Sequence, residues 1–145
     1  IVHAPSKMEI KGSEVIIQIV GELREYYSID FQLVHNMSHE KALRIYQSAD
    51  LVIDQLRIGS YGMFSIEAMA MGKPVICYLR DDLISSFPCV PPIINANEEN
   101  LKEKIEFLIK NPKIRRSIGK QSRKYVEEYH DSNKVVEKCI EIYST

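Results

Sequence analysis

Two hydrophobic periods alternate along this chain. Short, mainly apolar stretches at positions 1–4, 31–35, 51–53, 74–79 and 93–94 read as strands, and the runs at 51–53 and 74–79 suit burial on both faces. Between them the spacing turns helical. Ile16, Ile19, Val20, Leu23 and Tyr27 share one helical side, as do Ala42, Leu43, Tyr46 and Ala49, then Ile66, Met69 and Ala70. Three further stripes follow: Leu101, Ile105 and Leu108; Ile114, Ile118, Tyr125 and Tyr129; and Val135, Val136, Cys139, Ile140 and Tyr143. Strands alternating with helices predict an α/β fold, a Rossmann-like parallel sheet with helices on both faces.

Turn and cap residues divide these elements. Pro5-Ser6 ends the first strand, positions 7–12 read as a loop, and Ser13 is placed to cap a helix. A second helix starts at Ser38 or His39. After the third strand, the turn from Gly59 to Gly62 feeds a helix over positions 63–71, with Gly72 where a left-handed cap is wanted and Pro74 just beyond. Positions 80–92 form a connection with one helical turn around Leu83. Asn97 reads as an N-cap backed by Glu98 and Glu99, and Asn111-Pro112 restarts the chain as another helix.

In sheets of this kind ligands bind beyond the carboxyl ends of the strands. The loops carrying Lys11, Asn36 and the glycine turn all follow strands, so they converge at that edge. A glycine turn feeding a helix leaves the first N–H groups of that helix unpaired, and the dipole there favours an anion, most often phosphate. Glu67, five residues after Gly62, lies beyond the first turn, where a carboxylate would accept hydrogen bonds from ribose hydroxyls. Lys11 could neutralise a diphosphate as a point charge. By spacing alone the commoner reading is plainer: the glycines shape a connection, and Lys11 and Glu67 are solvated surface residues.

Residues 61–76, Tyr-Gly-Met-Phe-Ser-Ile-Glu-Ala-Met-Ala-Met-Gly-Lys-Pro-Val-Ile, closely resemble the signature of nucleotide-sugar glycosyltransferases with the two-domain GT-B fold. In that family the pattern runs Glu-Gly-Phe-Gly, a short spacer, then Glu-Ala-Met-Ala-x-Gly-x-Pro-Val. The resemblance implies that Glu67 holds the nucleotide ribose. It also implies that the turn of Gly59, Ser60, Tyr61, Gly62 and Met63 presents backbone amides to the diphosphate or sugar. Lys11-Gly12 matches a Lys-Gly of the family whose lysine contacts the diphosphate, so Lys11 would stabilise the leaving group. Asn36 and Met37 fall where the family lines its base pocket. Two departures stand out. Gly59 occupies the position of the first family glutamate, and His3-Ala4-Pro5-Ser6 replaces a Gly-Arg, leaving His3 and Ser6 as candidates for that contact.

On this resemblance the chain is the C-terminal, donor-binding half of a two-domain enzyme. That enzyme would move a hexosyl group from a UDP or GDP type sugar to a saccharide or lipid-linked acceptor, as in polysaccharide biosynthesis, without a cofactor. The N-terminal domain would supply the acceptor site, and the isolated domain would turn over nothing. A nucleotide-sugar epimerase relative and a degenerate domain that only binds or scaffolds are the alternatives.

Composition adds bounds. A length of 145 residues fits one domain, and a formal net charge of −1 gives no reason to expect a nucleic-acid partner. The chain opens at Ile1, on a strand, as expected of a C-terminal half. Cys77, Cys89 and Cys139 have no Cys-x-x-Cys spacing, and Cys77 in an apolar strand reads as a reduced core residue, which fits a cytoplasmic protein. His35 and His39, four apart, would suit a metal on a helix. They straddle a strand end and a helix start with no third ligand, so no metal is expected. Lys110, Lys113, Arg115, Arg116, Lys120, Arg123 and Lys124 form a run free of acids. Such a run is usually a solvated face, the alternative being peripheral contact with an anionic membrane surface.

Overall fold

The computed structural model describes residues 1–144. Its elements run β1 (Val2–His3), α1 (Met8–Lys11), α2 (Ser13–Leu23), β2 (Gln32–Leu33), α3 (His39–Ser48), β3 (Val52–Ile53), α4 (Met63–Ala70), β4 (Val75–Cys77), α5 (Asp81–Ile84), β5 (Ile94–Asn95), α6 (Leu101–Lys110), α7 (Pro112–Tyr129) and α8 (Ser132–Tyr143). All strand pairs are parallel, in the order β2-β1-β3-β4-β5.

Successive strand residues point to opposite faces, which divides the core in two. Val2, Val52, Val75 and Cys77 face one way, into a cluster with Ala42 and Tyr46 of α3, Phe64, Ala68 and Met69 of α4, and Tyr125 and Val126 of α7. Ile53 and Ile76 face the other way, toward Ile16, Val20 and Leu23 of α2 and Leu101, Ile105 and Leu108 of α6. The predicted Rossmann-like α/β sheet covered on both faces is therefore present. The strand order reverses between β1 and β3, and such a reversal opens a crevice at the carboxyl ends of the two strands.

Several local expectations are corrected. The strands span only two or three residues, and all but β5 are shorter than their predicted stretches. Positions 8–11 are helical, and α2 ends at Leu23, before Tyr27. Gly12, left-handed at φ 73°, joins α1 to α2 in place of a Ser13 cap, because the Ser13 hydroxyl is committed to His3. The α6 N-cap is Asn100; the Asn97 side chain instead accepts from the amides of Glu99 and Asn100 in the turn ahead of it. On α7, Ile114 is exposed while Ile118, Tyr125 and Tyr129 pack inward as expected, and the buried face also takes in Gly119, Ser122 and Val126. Small residues are needed there because a Cβ on Gly119 would lie 2.1 Å from the Gly72 carbonyl oxygen. No described residue of α8 is buried, so its apolar stripe is not core. No helix among the described residues is long and apolar enough to cross a membrane.

Candidate functional site

At the carboxyl ends of β1 and β3 lies an open pocket of about 400 Å³, lined by Ala4, Ser6, Lys11, Asp54, Gln55, Ile58, Ser60, Tyr61, Gly62, Met63 and Phe64. A cleft of similar volume, about 380 Å³, lies at the opposite edge among Ile1, Asp30, Asp50 and Arg115. The first is the candidate site, because the strand ends and a helix start converge on it.

Of the residues singled out from the sequence, Lys11, Ser60, Tyr61, Gly62 and Met63 share this pocket. Gly12 sits beside it as the hinge between α1 and α2. Lys11 does not extend freely. Its ammonium donates to Asp54 Oδ1 at 2.5 Å and is only 12% exposed, while the Asp54 side chain is fully buried. Asp54 also accepts from the Ser65 hydroxyl at 2.6 Å and the Gly62 amide at 3.4 Å. One buried carboxylate thus ties the end of α1 to the start of α4. The Gly62 amide, expected to face a ligand, is turned to Asp54. The start-of-helix amides of Met63 and Phe64 remain as donors that the helix itself does not use.

Gln55, 1% exposed, builds the floor of the β3–α4 loop. Its Nε2 donates to the carbonyls of Ser60 at 3.0 Å and Tyr78 at 2.7 Å, and its Oε1 accepts from the amides of Arg57 at 2.8 Å and Ile58 at 2.6 Å. The Cys77 thiol lies beside it, and burial pushes that thiol up to about 12, so it is an unreactive core group. Sequence reasoning missed Asp54 and Gln55. The signal was available, since two polar residues directly follow a fully apolar strand at the edge where ligands bind.

Gly59 is left-handed at φ 89°, and a Cβ there would lie 2.4 Å from Cδ of Arg80, whose side chain packs over it. An acid at this position would therefore require both a strained backbone and displacement of Arg80. Tyr61 turns inward. Its hydroxyl lies 3.0 Å from the Tyr125 hydroxyl and 3.0 Å from His130 Nε2, and burial raises its phenol above the usual range. Tyr61 thereby anchors the turn to the end of α7.

Glu67 lies one turn along α4 and pairs with His39 at the start of α3, Oε1 to Nε2 at 2.7 Å. Glu67 is 23% exposed, so a carboxylate and an imidazole stand together at the surface, and neither is among the residues that line the pocket. Asn36 and Met37, in the loop after β2, are exposed, and Asn36 adopts φ 53°. His3 is fully buried, with Nδ1 2.8 Å from the Ile53 carbonyl and Nε2 2.7 Å from the Ser13 hydroxyl. It is a packing group that cannot reach a ligand. Ser6 is exposed and does line the pocket. His35 lies 3.4 Å from the Pro5 carbonyl and does not join His39.

Comparison with known proteins agrees with this architecture. The family model described as "Glycosyl transferase-like" matches residues 8–141. An uncharacterized glycosyltransferase of Methanocaldococcus jannaschii is 25% identical over 145 residues, covering 90% of this chain and 40% of that protein. The solved structure of sucrose-phosphate synthase from Thermosynechococcus elongatus superposes with a TM-score of 0.73 at 18% identity, covering 99% of this chain and 44% of that one. The chain thus spans less than half the length of either. It belongs to the glycosyl transferase-like family, as a Rossmann-like domain of the GT-B glycosyltransferase type.

Proposed function

We propose that this chain is the donor-binding domain of a longer, two-domain hexosyltransferase, and that its crevice holds a nucleoside-diphosphate sugar of the UDP or GDP type. The acceptor, a saccharide or a lipid-linked saccharide, would be bound by the other domain. The observation that carries the reading is the meeting of Lys11 with the start of α4 in one pocket at the strand reversal. An ammonium and first-turn amides at fixed positions suit a diphosphate, and they suit it more as the bond to the sugar breaks and charge grows on the departing oxygen. That is electrostatic stabilisation of a leaving group. Glu67, on the same helix just outside the pocket lining, suits the ribose hydroxyls, and the Asn36 and Met37 loop suits the base. No general base is assigned within this domain.

A second reading, a domain that binds a nucleotide sugar without catalysing transfer, is favoured by one observation. Gly59 carries no acid and Arg80 fills the space where one would project. Calorimetric titration with UDP, GDP and their sugar conjugates tests the donor site itself. We expect one nucleotide to bind saturably, and Glu67→Ala to weaken it about tenfold, the worth of a charged hydrogen bond. No binding of any of these at millimolar concentration would overturn the donor reading. Transfer by a longer protein containing this domain would separate enzyme from binder.

A further inference from the structure

Asp54 is the most unusual group of the pocket. It is a carboxylate with no exposure, placed directly after β3, and its neighbours Val52 and Ile53 are wholly apolar. A buried carboxylate is tolerated only when its oxygens are paired. Here one oxygen takes Lys11 Nζ at 2.5 Å and the other takes the Ser65 hydroxyl at 2.6 Å and the Gly62 amide at 3.4 Å. The partners come from separate elements, the end of α1 and the start of α4.

We propose that Asp54 is the positioning residue of the diphosphate subsite, fixing the Lys11 ammonium and the first turn of α4 in one geometry before the ligand arrives. This rests on the donor reading above. The two roles open to Asp54 predict opposite signs. As a plain negative charge beside the subsite it repels a diphosphate, so neutralising it would tighten binding. As an anchor it spares the ligand the cost of ordering a lysine side chain and a helix start, so neutralising it weakens binding. The second is the one proposed, because Lys11 is only 12% exposed and its ammonium is already held 2.5 Å from Asp54 Oδ1.

The test compares wild type with Asp54→Asn, which keeps shape and removes charge. Ser65→Ala is the second variant; it loosens the carboxylate and leaves every charge in place. Two readouts are taken. The first, without ligand, is acetic anhydride labelling of lysines read by mass spectrometry, with exposed Lys120 as the internal reference. The second is affinity for inorganic pyrophosphate, UDP, GDP and the corresponding nucleosides. We expect Lys11 to label several-fold more slowly than Lys120 in wild type, and Asp54→Asn to remove the contrast. Pyrophosphate and nucleotide affinity should fall about tenfold in Asp54→Asn and less in Ser65→Ala, with nucleoside binding unchanged. In a Lys11→Gln background the Asp54→Asn loss should disappear.

Nucleotide binding that is unchanged or tighter in Asp54→Asn overturns the positioning role while leaving the donor reading intact. Labelling of Lys11 that is indifferent to Asp54 overturns it as well. Wild-type protein that binds neither pyrophosphate nor nucleotide removes the subsite and the donor reading together, which is a different result from either.

Discussion

Two stretches on one sheet edge are unlike, the pocket between β1 and β3 and the loop after β2 beside it. On the β1–β3 side, Asp54 and Gln55 are buried and every polar group of their side chains is paired within the protein. On the β2 side, both strand residues are exposed, the loop runs through exposed His35, Asn36 and Met37, and the one side-chain cap is a 3.4 Å contact from the Lys41 amide to Ser38 Oγ. The difference teaches how such a site divides its work. A preformed half loses little entropy when it meets a charged group of fixed shape, whereas an open half can adapt but must be ordered on binding. The β1–β3 side is built by the fold, and the β2 side is left exposed.

The largest expected effect comes from breaking the built half. Gln55→Leu keeps the side-chain volume and strands the Arg57 and Ile58 amides and the Ser60 and Tyr78 carbonyls. Each group left unpaired in the interior costs about 1–3 kcal/mol, and partial relaxation to water reduces the sum, so a loss of about 3–5 kcal/mol is expected. Urea unfolding followed by circular dichroism measures it. Ser38→Ala, the matched deletion on the open side, should cost about 1 kcal/mol or less. Equal losses for the two would abolish the distinction.

A pH titration sharpens the same point. His3 is held neutral within the built half, its ionisation lowered to about 4, chiefly by burial. In the unfolded chain the imidazole titrates near its ordinary 6.5. Between these values the unfolded state binds more protons than the native one. Stability therefore falls as pH falls through that window and is fully retained above it; the difference amounts to about 3 kcal/mol. His3→Gln should flatten the stability profile between pH 6.5 and 4 relative to wild type. A parallel slope in the two proteins would mean that the native imidazole charges freely.

Most of the architecture was legible in the sequence because strands buried on both faces and amphipathic helices write different periods. The glycine turn and the alternation of strand and helix likewise place Lys11 and Gly62 on one edge. What escaped were features that depend on partners distant in sequence. Asp54 meets Lys11 across 43 positions and Gln55 meets Tyr78 across 23, and a polar residue after a strand does not announce which way it points. On α7 the expected Ile118, Tyr125 and Tyr129 do pack on the core, but Gly119 and Ser122 escaped because they carry no apolar signal; close backbone approach selected Gly119 instead. Ile114 erred in the reverse sense, and the apolar stripe of α8 is likewise exposed. Periodicity identifies an apolar face but not whether the fold supplies something to cover it.

The smallest effect is expected at Asn36, on the open side. At φ 53° it occupies the left-handed region, which asparagine tolerates better than most residues and glycine best of all. Asn36→Ala should cost about 1 kcal/mol, and Asn36→Gly close to nothing, because the glycine removes the strain that alanine would add. If this loop is ordered by the base of a bound nucleotide, both variants lose the amide side chain and should lower nucleotide affinity severalfold, although only one is destabilised. That uncoupling is the signature of an open half: a residue there changes binding without changing the fold. An Asn36→Ala protein destabilised as strongly as Gln55→Leu would instead make the β2 loop part of the folded scaffold, and the two stretches would be alike after all.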